Sequence, residues 1–409
     1  MGRLTTLPRP ALQLAGYQHG ARAFVGPTTV QVDLTDACNQ SCLVCWLHAP
    51  DLQERNRERV DRAASLPWEV FTGLLDELKA LGTEEIYFAG GGEPLVHKRA
   101  WDALAETVKR GFTASLHTNF SLVGEDDVQR LLDLGVHHVT VSLWAGTPGA
   151  YAATHPGTDP ATFSQVTERL AELNRRKVDR PTTKLYHVLT AENHGDAAAM
   201  VALAEDLGCD AVEFAVADLV PEHTDHLGVS ADAARAVLKV LQPLAERAVW
   251  RSPRVLGLDE VLVRLQSLAE GRPADATLVH RMPCFAGWTY ARVMADGRVI
   301  PCLKAHRIPS GNLHERGFRE IWTGAKQARF REATRAARKE GPLFAQIGND
   351  EGAACGCELG CDNLLDNQKT AERLRSLTRP ERLVLGAARR VPDWFEQAVG
   401  REQAPGREG

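Results

Sequence analysis

The sequence has no apolar run approaching the ~18 residues that a membrane-spanning helix needs, so it reads as a chain with no membrane partner. Its start, Met1 to Gly16, interleaves Leu with Pro, Arg and Gln and lacks the pattern of a signal peptide. The cytoplasm is therefore the expected compartment. Charge of one sign is also lacking. A formal net charge of −5 gives no global reason to expect nucleic acid. The 14 histidines include no HExxH spacing. Internal repeats and low-complexity tracts are missing. A disulfide framework is not indicated either. The nine cysteines are an odd number, and 409 residues can bury enough core without cross-links. What remains is 44% hydrophobic and 25% charged residues, the composition of a globular protein of two or three domains.

The first half alternates strand-like and helix-like stretches. Thr29–Leu34, Glu85–Ala89, Thr113–His117, His138–Leu143, Lys184–Leu189 and Ala211–Val216 read as strands. Between them, Pro67–Leu81, Trp101–Lys109, Asp126–Leu134, Asp159–Arg176 and Asp196–Leu207 have helical periodicity. Such alternation predicts a parallel sheet with crossover helices. In a barrel-type arrangement, chemistry sits at the C-terminal strand ends. The second half differs, and from Met282 the rhythm breaks. Ala231–Val249 and Leu258–Leu268 read as helices, and Tyr290–Met294 with Val299–Cys302 as a hairpin turned at Asp296-Gly297. Arg319–Lys339 reads as one helix, basic along one side. The stretch Tyr151–Asp159 is a polar loop, read as a connection or a lid above the barrel mouth.

The cysteines cluster, which points to metal rather than to buried packing. Cys38, Cys42 and Cys45 follow the first strand directly. Three thiolates can hold three irons of a [4Fe–4S] cluster and leave the fourth iron open. The other reading is a structural zinc completed by a further ligand, such as His48. Cys284, Cys302, Cys355, Cys357 and Cys361 form a second group. Cys209 stands apart and reads as a buried thiol.

With those residues in view, CNQSCLVC resembles the cluster motif of the radical S-adenosylmethionine superfamily, and the resemblance runs for some 190 residues. Gly91-Gly92-Glu93-Pro94 resembles the family's GGEP motif. The likeness implies that Glu93 accepts from the cofactor's ammonium and that Gly91 and Gly92 admit close backbone approach. Thr118-Asn119, Ser142 and Asn193 sit where the family contacts the cofactor. The chain departs from the family in three places. Val44 replaces a frequent aromatic, Phe120 stands where TNG has glycine, and Ser142-Leu143-Trp144 replaces a common Ser-x-Asp. Cys284, Gly297 and Cys302, with Gly311-Asn312-Leu313 and Ile321-Trp322, resemble the SPASM and twitch domains, which carry auxiliary clusters. Five cysteines suffice for one such cluster, with Cys355 or Cys357 as the less certain ligand and a structural zinc as the rival.

The expected architecture is thus α/β: a partial (βα)6 TIM-type barrel followed by a small twitch/SPASM-like domain. Expected boundaries are 1–24 extension, 25–220 barrel, 221–280 helical bridge, 281–365 auxiliary-cluster domain and 366–409 helical tail. The resemblance implies S-adenosylmethionine, a radical-generating [4Fe–4S] cluster, one auxiliary [4Fe–4S] cluster and an external flavodoxin- or ferredoxin-type electron donor. The expected activity is hydrogen abstraction from an unactivated C–H bond, with the auxiliary cluster as electron acceptor. Trp144, Tyr186 and Glu213 are candidate catalytic residues. Alternation allows only one of Tyr186 and His187 to face the cavity. The favoured substrate is a small metabolite of sugar, aminoglycoside or nucleoside type, because only some 28 residues precede the first strand. A peptide- or protein-modifying enzyme is the alternative, and a non-enzymatic metal-binding module a third reading.

Overall fold

The computed structural model describes residues 9–57, 60–246, 253–348 and 356–378. Ten strands make one sheet: β1 (Thr29–Asp33), β2 (Glu85–Ala89), β3 (Thr113–Thr118), β4 (His138–Ser142), β5 (Thr182–Leu189), β6 (Ala211–Val216), β7 (Arg254–Leu256), β8 (Tyr290–Val293), β9 (Arg298–Ile300) and β10 (Gly311–Asn312). Their order is β10-β9-β8-β1-β2-β3-β4-β5-β6-β7. From β1 to β7 every neighbour pair is parallel. The expected six-unit barrel is there, and it is extended at both edges. β7 adds a seventh parallel strand, three residues long and too short to leave an alternation signal in the sequence. On the other edge, β8 pairs parallel with β1, so the hairpin β8–β9 continues the barrel sheet.

The sheet is built by period-two alternation. Val30, Val32, Ile86 and Phe88 have no exposed surface and pack under the crossover helices. The helix Trp68–Ala80 meets them with Phe71, Leu74, Leu75 and Leu78. Each such side chain contributes roughly 1.5–3 kcal/mol of burial. The alternate residues face the barrel interior and are polar or aromatic: Asp33, Tyr87, His117, Tyr186, Glu213 and Arg292. Their rings and charges meet across strands. Tyr87 hydrogen-bonds His117 Nδ1, the His117 ring lies 5.3 Å from Tyr186, and Lys184 Nζ lies 2.5 Å from Glu213 Oε2. Of the residues considered for the cavity, Tyr186 and Glu213 face it. His187 points the other way, stacked on Phe214.

Three expectations need correction. Arg319–Lys339 is not one helix but two, Phe318–Thr323 and Ala325–Thr334, interrupted at Gly324. The helix from Ala231 ends at Leu241 and passes into a 3₁₀ turn, Gln242–Glu246, where Pro243 cannot continue the α-helical ladder. The Tyr151–Asp159 stretch is no lid. Pro148–Thr154 is a helix whose Tyr151 and Thr154 are buried. Tyr151 Oη accepts from Gln40 Nε2 at 2.8 Å, and Thr154 O accepts the Leu43 N–H at 3.0 Å. It buttresses the loop of the first three cysteines. Among the described residues, no helix is long and apolar enough to cross a membrane.

Candidate functional site

The loop after β1 carries Cys38, Cys42 and Cys45, all half-buried with free thiols. Its entry is pinned by the Asp36 N–H donating to Ala64 O at 2.9 Å and by Thr35 Oγ1 donating to the same carbonyl at 3.1 Å. The Cys45 sulfur accepts the His48 N–H at 3.3 Å. Burial pushes the Cys38 thiol up to about 11 and raises Cys42 and Cys45 as well. For Cys42 the neighbouring Cys45 and Cys38 add to it. Three thiols that cannot all ionise unaided make a donor set for a positive iron centre, which deprotonates its thiol ligands outright.

His48, the residue expected to complete a zinc site, places Nε2 2.8 Å from the Asp36 carbonyl oxygen.

The glycine run after β2 is stitched onto that loop. Gly92 N donates to Thr35 O and Glu93 N to Ala37 O, each at 3.0 Å. A Cβ on Gly92 would lie 2.0 Å from Ala37 O, and one on Gly91 2.0 Å from Asp36 Oδ1. Gly92 is therefore required by backbone packing of one loop on the other, while Gly91 makes room for the Asp36 and Leu47 side chains, reasons the family likeness did not supply. Glu93 is 3% exposed. Its Oε1 accepts from Thr118 Oγ1 at 2.6 Å and from Leu95 N at 3.1 Å, and its Oε2 accepts from Asn119 N at 2.7 Å. A carboxylate has about four acceptor positions. Three are filled within the chain, and one on Oε2 is unfilled. Burial raises its pKa, while Thr118, Asn119 and Leu95 oppose the rise. Asp36 Oδ1, which the sequence did not single out, is buried beside Gly91 with no hydrogen-bond partner.

The remaining residues divide. Ser142 ends β4, half-buried, opposite Tyr186. The Asn119 amide is used within the chain, donating to Asn39 Oδ1 at 2.9 Å and accepting from Ser121 N and Oγ. It ties the end of β3 to the cysteine loop. Asn193 is saturated. Its Oδ1 accepts from Thr190 N and Oγ1, and its Nδ2 donates to Trp144 O and Val188 O, both at 2.8 Å. Each of its side-chain donors and acceptors is engaged within the chain, so it braces the loops around it. These include Trp144, held at φ 55° with its buried Nε1 unpartnered.

The second cysteine group converges on one cavity. Cys284, Cys302, Cys357 and Cys361 line it, among apolar side chains such as Phe330 and Ile347. Cys355 lies outside the described residues. Burial raises the thiols of Cys284, Cys302 and Cys361. The loop of Cys361 is held by Asp275, whose Oδ2 accepts the Cys361 N–H at 2.5 Å, and by Arg264, whose Nη2 donates to Cys361 O at 3.0 Å. Cys209 is 1% exposed and takes part in neither group.

Comparison with known proteins agrees with this geometry. Residues 32–204 match the Radical SAM superfamily and residues 284–343 match SPASM, an iron-sulfur cluster-binding domain. A tungsten-containing aldehyde ferredoxin oxidoreductase cofactor-modifying protein of Pyrococcus furiosus is 23% identical, over 74% of this chain and 83% of its own. A PqqA peptide cyclase of Xanthomonas campestris is 26% identical, over 75% of this chain and 76% of its own. The solved structure of anSMEcpe with bound AdoMet and Cp18Cys peptide superposes with a TM-score of 0.58 at 16% identity, over 90% of this chain and all of the other. That last likeness is one of fold. The preference for a small metabolite over a peptide is overturned by these relatives, among which peptide cyclases recur. The number of residues before β1, on which that preference rested, says nothing about what the barrel interior admits.

Proposed function

Because the chain is an enzyme of the radical SAM superfamily with a C-terminal SPASM domain, we propose that it modifies a peptide or protein side chain at a C–H bond. S-adenosylmethionine and [4Fe–4S] clusters are its cofactors; when bound, the first cluster and S-adenosylmethionine supply the 5′-deoxyadenosyl radical. We assign Cys38, Cys42 and Cys45 to that cluster, and Cys284, Cys302, Cys357 and Cys361 to one auxiliary cluster. Cys357 takes precedence over Cys355 because it lines the same cavity as the other three. The open acceptor position of Glu93 orients the ammonium of the cofactor. Ser142 lies at the adjoining strand end. The interior wall of Tyr87, His117 and Tyr186 excludes water from the place where the substrate carbon is exposed. The eight described cysteines are all free thiols, which suits a reducing, cytoplasmic setting and a flavodoxin- or ferredoxin-type donor.

What supports the peptide reading is the recurrence of peptide cyclases among the relatives. The test is to incubate the reconstituted, reduced protein with S-adenosylmethionine and short peptides encoded beside its gene, following deoxyadenosine and peptide mass together. A peptide whose mass changes in step with deoxyadenosine is the expected result. Deoxyadenosine formation stimulated only by small metabolites would reject the reading. The Cys38/Cys42/Cys45→Ala protein is the control, and it should form no deoxyadenosine.

A further inference from the structure

Asn367 lies on the helix Leu364–Arg375, beyond residue 343 where the match to the iron-sulfur domain ends. It is 4% exposed and lines the cavity of the four cysteines. Its Oδ1 accepts the Phe285 N–H at 2.7 Å, and its Nδ2 lies 3.6 Å from the Cys284 sulfur. The orientation of the amide is fixed by chemistry. A backbone N–H can only donate, so the oxygen must face Phe285 and the NH₂ must face the sulfur. The Cys284 sulfur also meets the Ala286 N–H and the charge of Lys339, and Asn367 is the side chain that hydrogen-bonds it.

We propose that Asn367 is a positioning residue of the auxiliary cluster: it holds the peptide next to Cys284 and, by donating to the Cys284 sulfur, raises the cluster's reduction potential. One-electron reduction places extra negative charge on the iron and its sulfur ligands. An N–H aimed at a ligand sulfur stabilises the reduced form more than the oxidised form, and hydrogen bonds to sulfur are among the levers that set such potentials. The low dielectric of the cavity strengthens the effect. The inference rests on the assignment of Cys284, Cys302, Cys357 and Cys361 to a cluster. It adds what that assignment lacks, a side chain from outside the matched domain that sets how readily the cluster takes an electron.

The experiment uses the full-length Cys38/Cys42/Cys45→Ala protein, reconstituted with iron and sulfide, so that only the auxiliary cluster reports. Iron is counted, and the midpoint is read by a mediated redox titration followed by electron paramagnetic resonance. Asn367→Asp keeps the acceptor for Phe285 and removes the donor. Asn367→Leu removes both without adding charge. Asn367→Gln keeps an amide. At a fixed potential the reduced-to-oxidised ratio should fall at least tenfold in the Asp and Leu proteins, which is 59 mV for one electron. Asn367→Gln should recover most of that loss. Iron lost from the Asp and Leu proteins, with iron and midpoint kept in Gln, would also support the donor role. Iron retained with an unchanged or raised midpoint would overturn it. So would iron lost from all three variants, which would make Asn367 a packing residue. If the parent triple variant binds no iron, the assignment of the four cysteines fails, and this inference fails with it.

Discussion

Glu93 Oε2 accepts the backbone N–H of Asn119 at 2.7 Å, joining the loop after β2 to the end of β3. Thr118 Oγ1 reaches the other oxygen at 2.6 Å. Because Glu93 N is itself bonded to Ala37 O, one residue links three strand ends. Sequence motifs that stand 25 residues apart thus form one rigid corner around the carboxylate. Ligand binding there costs little reorganisation, since the oxygens are already aimed and fixed.

Replacement Glu93→Gln keeps the shape but sets an NH₂ against one of these donors. The buried N–H left unpaired costs about 1–3 kcal/mol of stability. The missing charge removes a charge-assisted bond to the cofactor's ammonium of roughly 1.5–3 kcal/mol. Affinity for S-adenosylmethionine should drop by about tenfold or more with iron content unchanged, as read by calorimetry on the reconstituted protein. Unaltered binding would make Glu93 a brace only.

Phe120 sits at φ 61°, in the left-handed region that favours glycine. The conformation costs about 1–2 kcal/mol for a residue with a Cβ. The ring is 1% exposed in the barrel core, and removing a buried Phe costs about 3–5 kcal/mol. Packing outweighs strain, so Phe120→Gly should destabilise the protein by about 2 kcal/mol despite restoring the family's residue. Thermal unfolding would check the sign; a rise in Tm would show that strain dominates.

That residue also shows what the sequence could and could not reveal. The six strands and the order of motifs were legible because burial imposes period two on strands and because cysteine, glycine and glutamate are chemically specific. The tolerance of Phe120 in a glycine position was not, since it depends on a core pocket assembled from distant segments. The same holds for Asn193, whose hydrogen bond to Trp144 O exists only once β4 and β5 are side by side. β7 left too few residues for a pattern. The small-metabolite expectation failed because the length of a terminal segment carries no information about the chemistry inside the barrel.

His155 stacks on Tyr151 with ring centroids 4.2 Å apart, on the buttress of the cysteine loop. Burial lowers its pKa to about 4, from an ordinary 6.5. The unfolded chain therefore binds a proton between pH 6.5 and 4 that the folded chain refuses. Stability falls as pH drops through that window, by about 3 kcal/mol in all from this residue. Denaturant titrations of wild type and His155→Gln between pH 7 and 4.5 should show a shallower acid limb in the variant. Parallel limbs would mean that His155 is not the titrating group.

Asp275 has no exposed side-chain surface and is paired with Arg264, Nε to Oδ1 at 2.6 Å and Nη2 to Oδ2 at 2.9 Å. Its Oδ2 also accepts the Cys361 N–H, and its backbone N–H donates to Glu358 O at 2.9 Å. One residue therefore grips the Cys357–Cys361 segment on both sides. In Asp275→Asn an NH₂ faces donors it cannot bond, and the largely buried Arg264 loses its hydrogen-bonded ion-pair partner. Breaking such a pair typically costs about 3–5 kcal/mol. The loss should be local, because Asp275 touches the second cysteine group and not the first. Iron per chain should fall by about four, one [4Fe–4S] cluster. Cleavage of S-adenosylmethionine in the absence of substrate should persist, since it needs only the site of Cys38, Cys42 and Cys45. An Asp275→Asn protein with full iron would show that the ligand loop holds itself. Loss of both clusters together would show that the clamp supports the whole fold and not the auxiliary site.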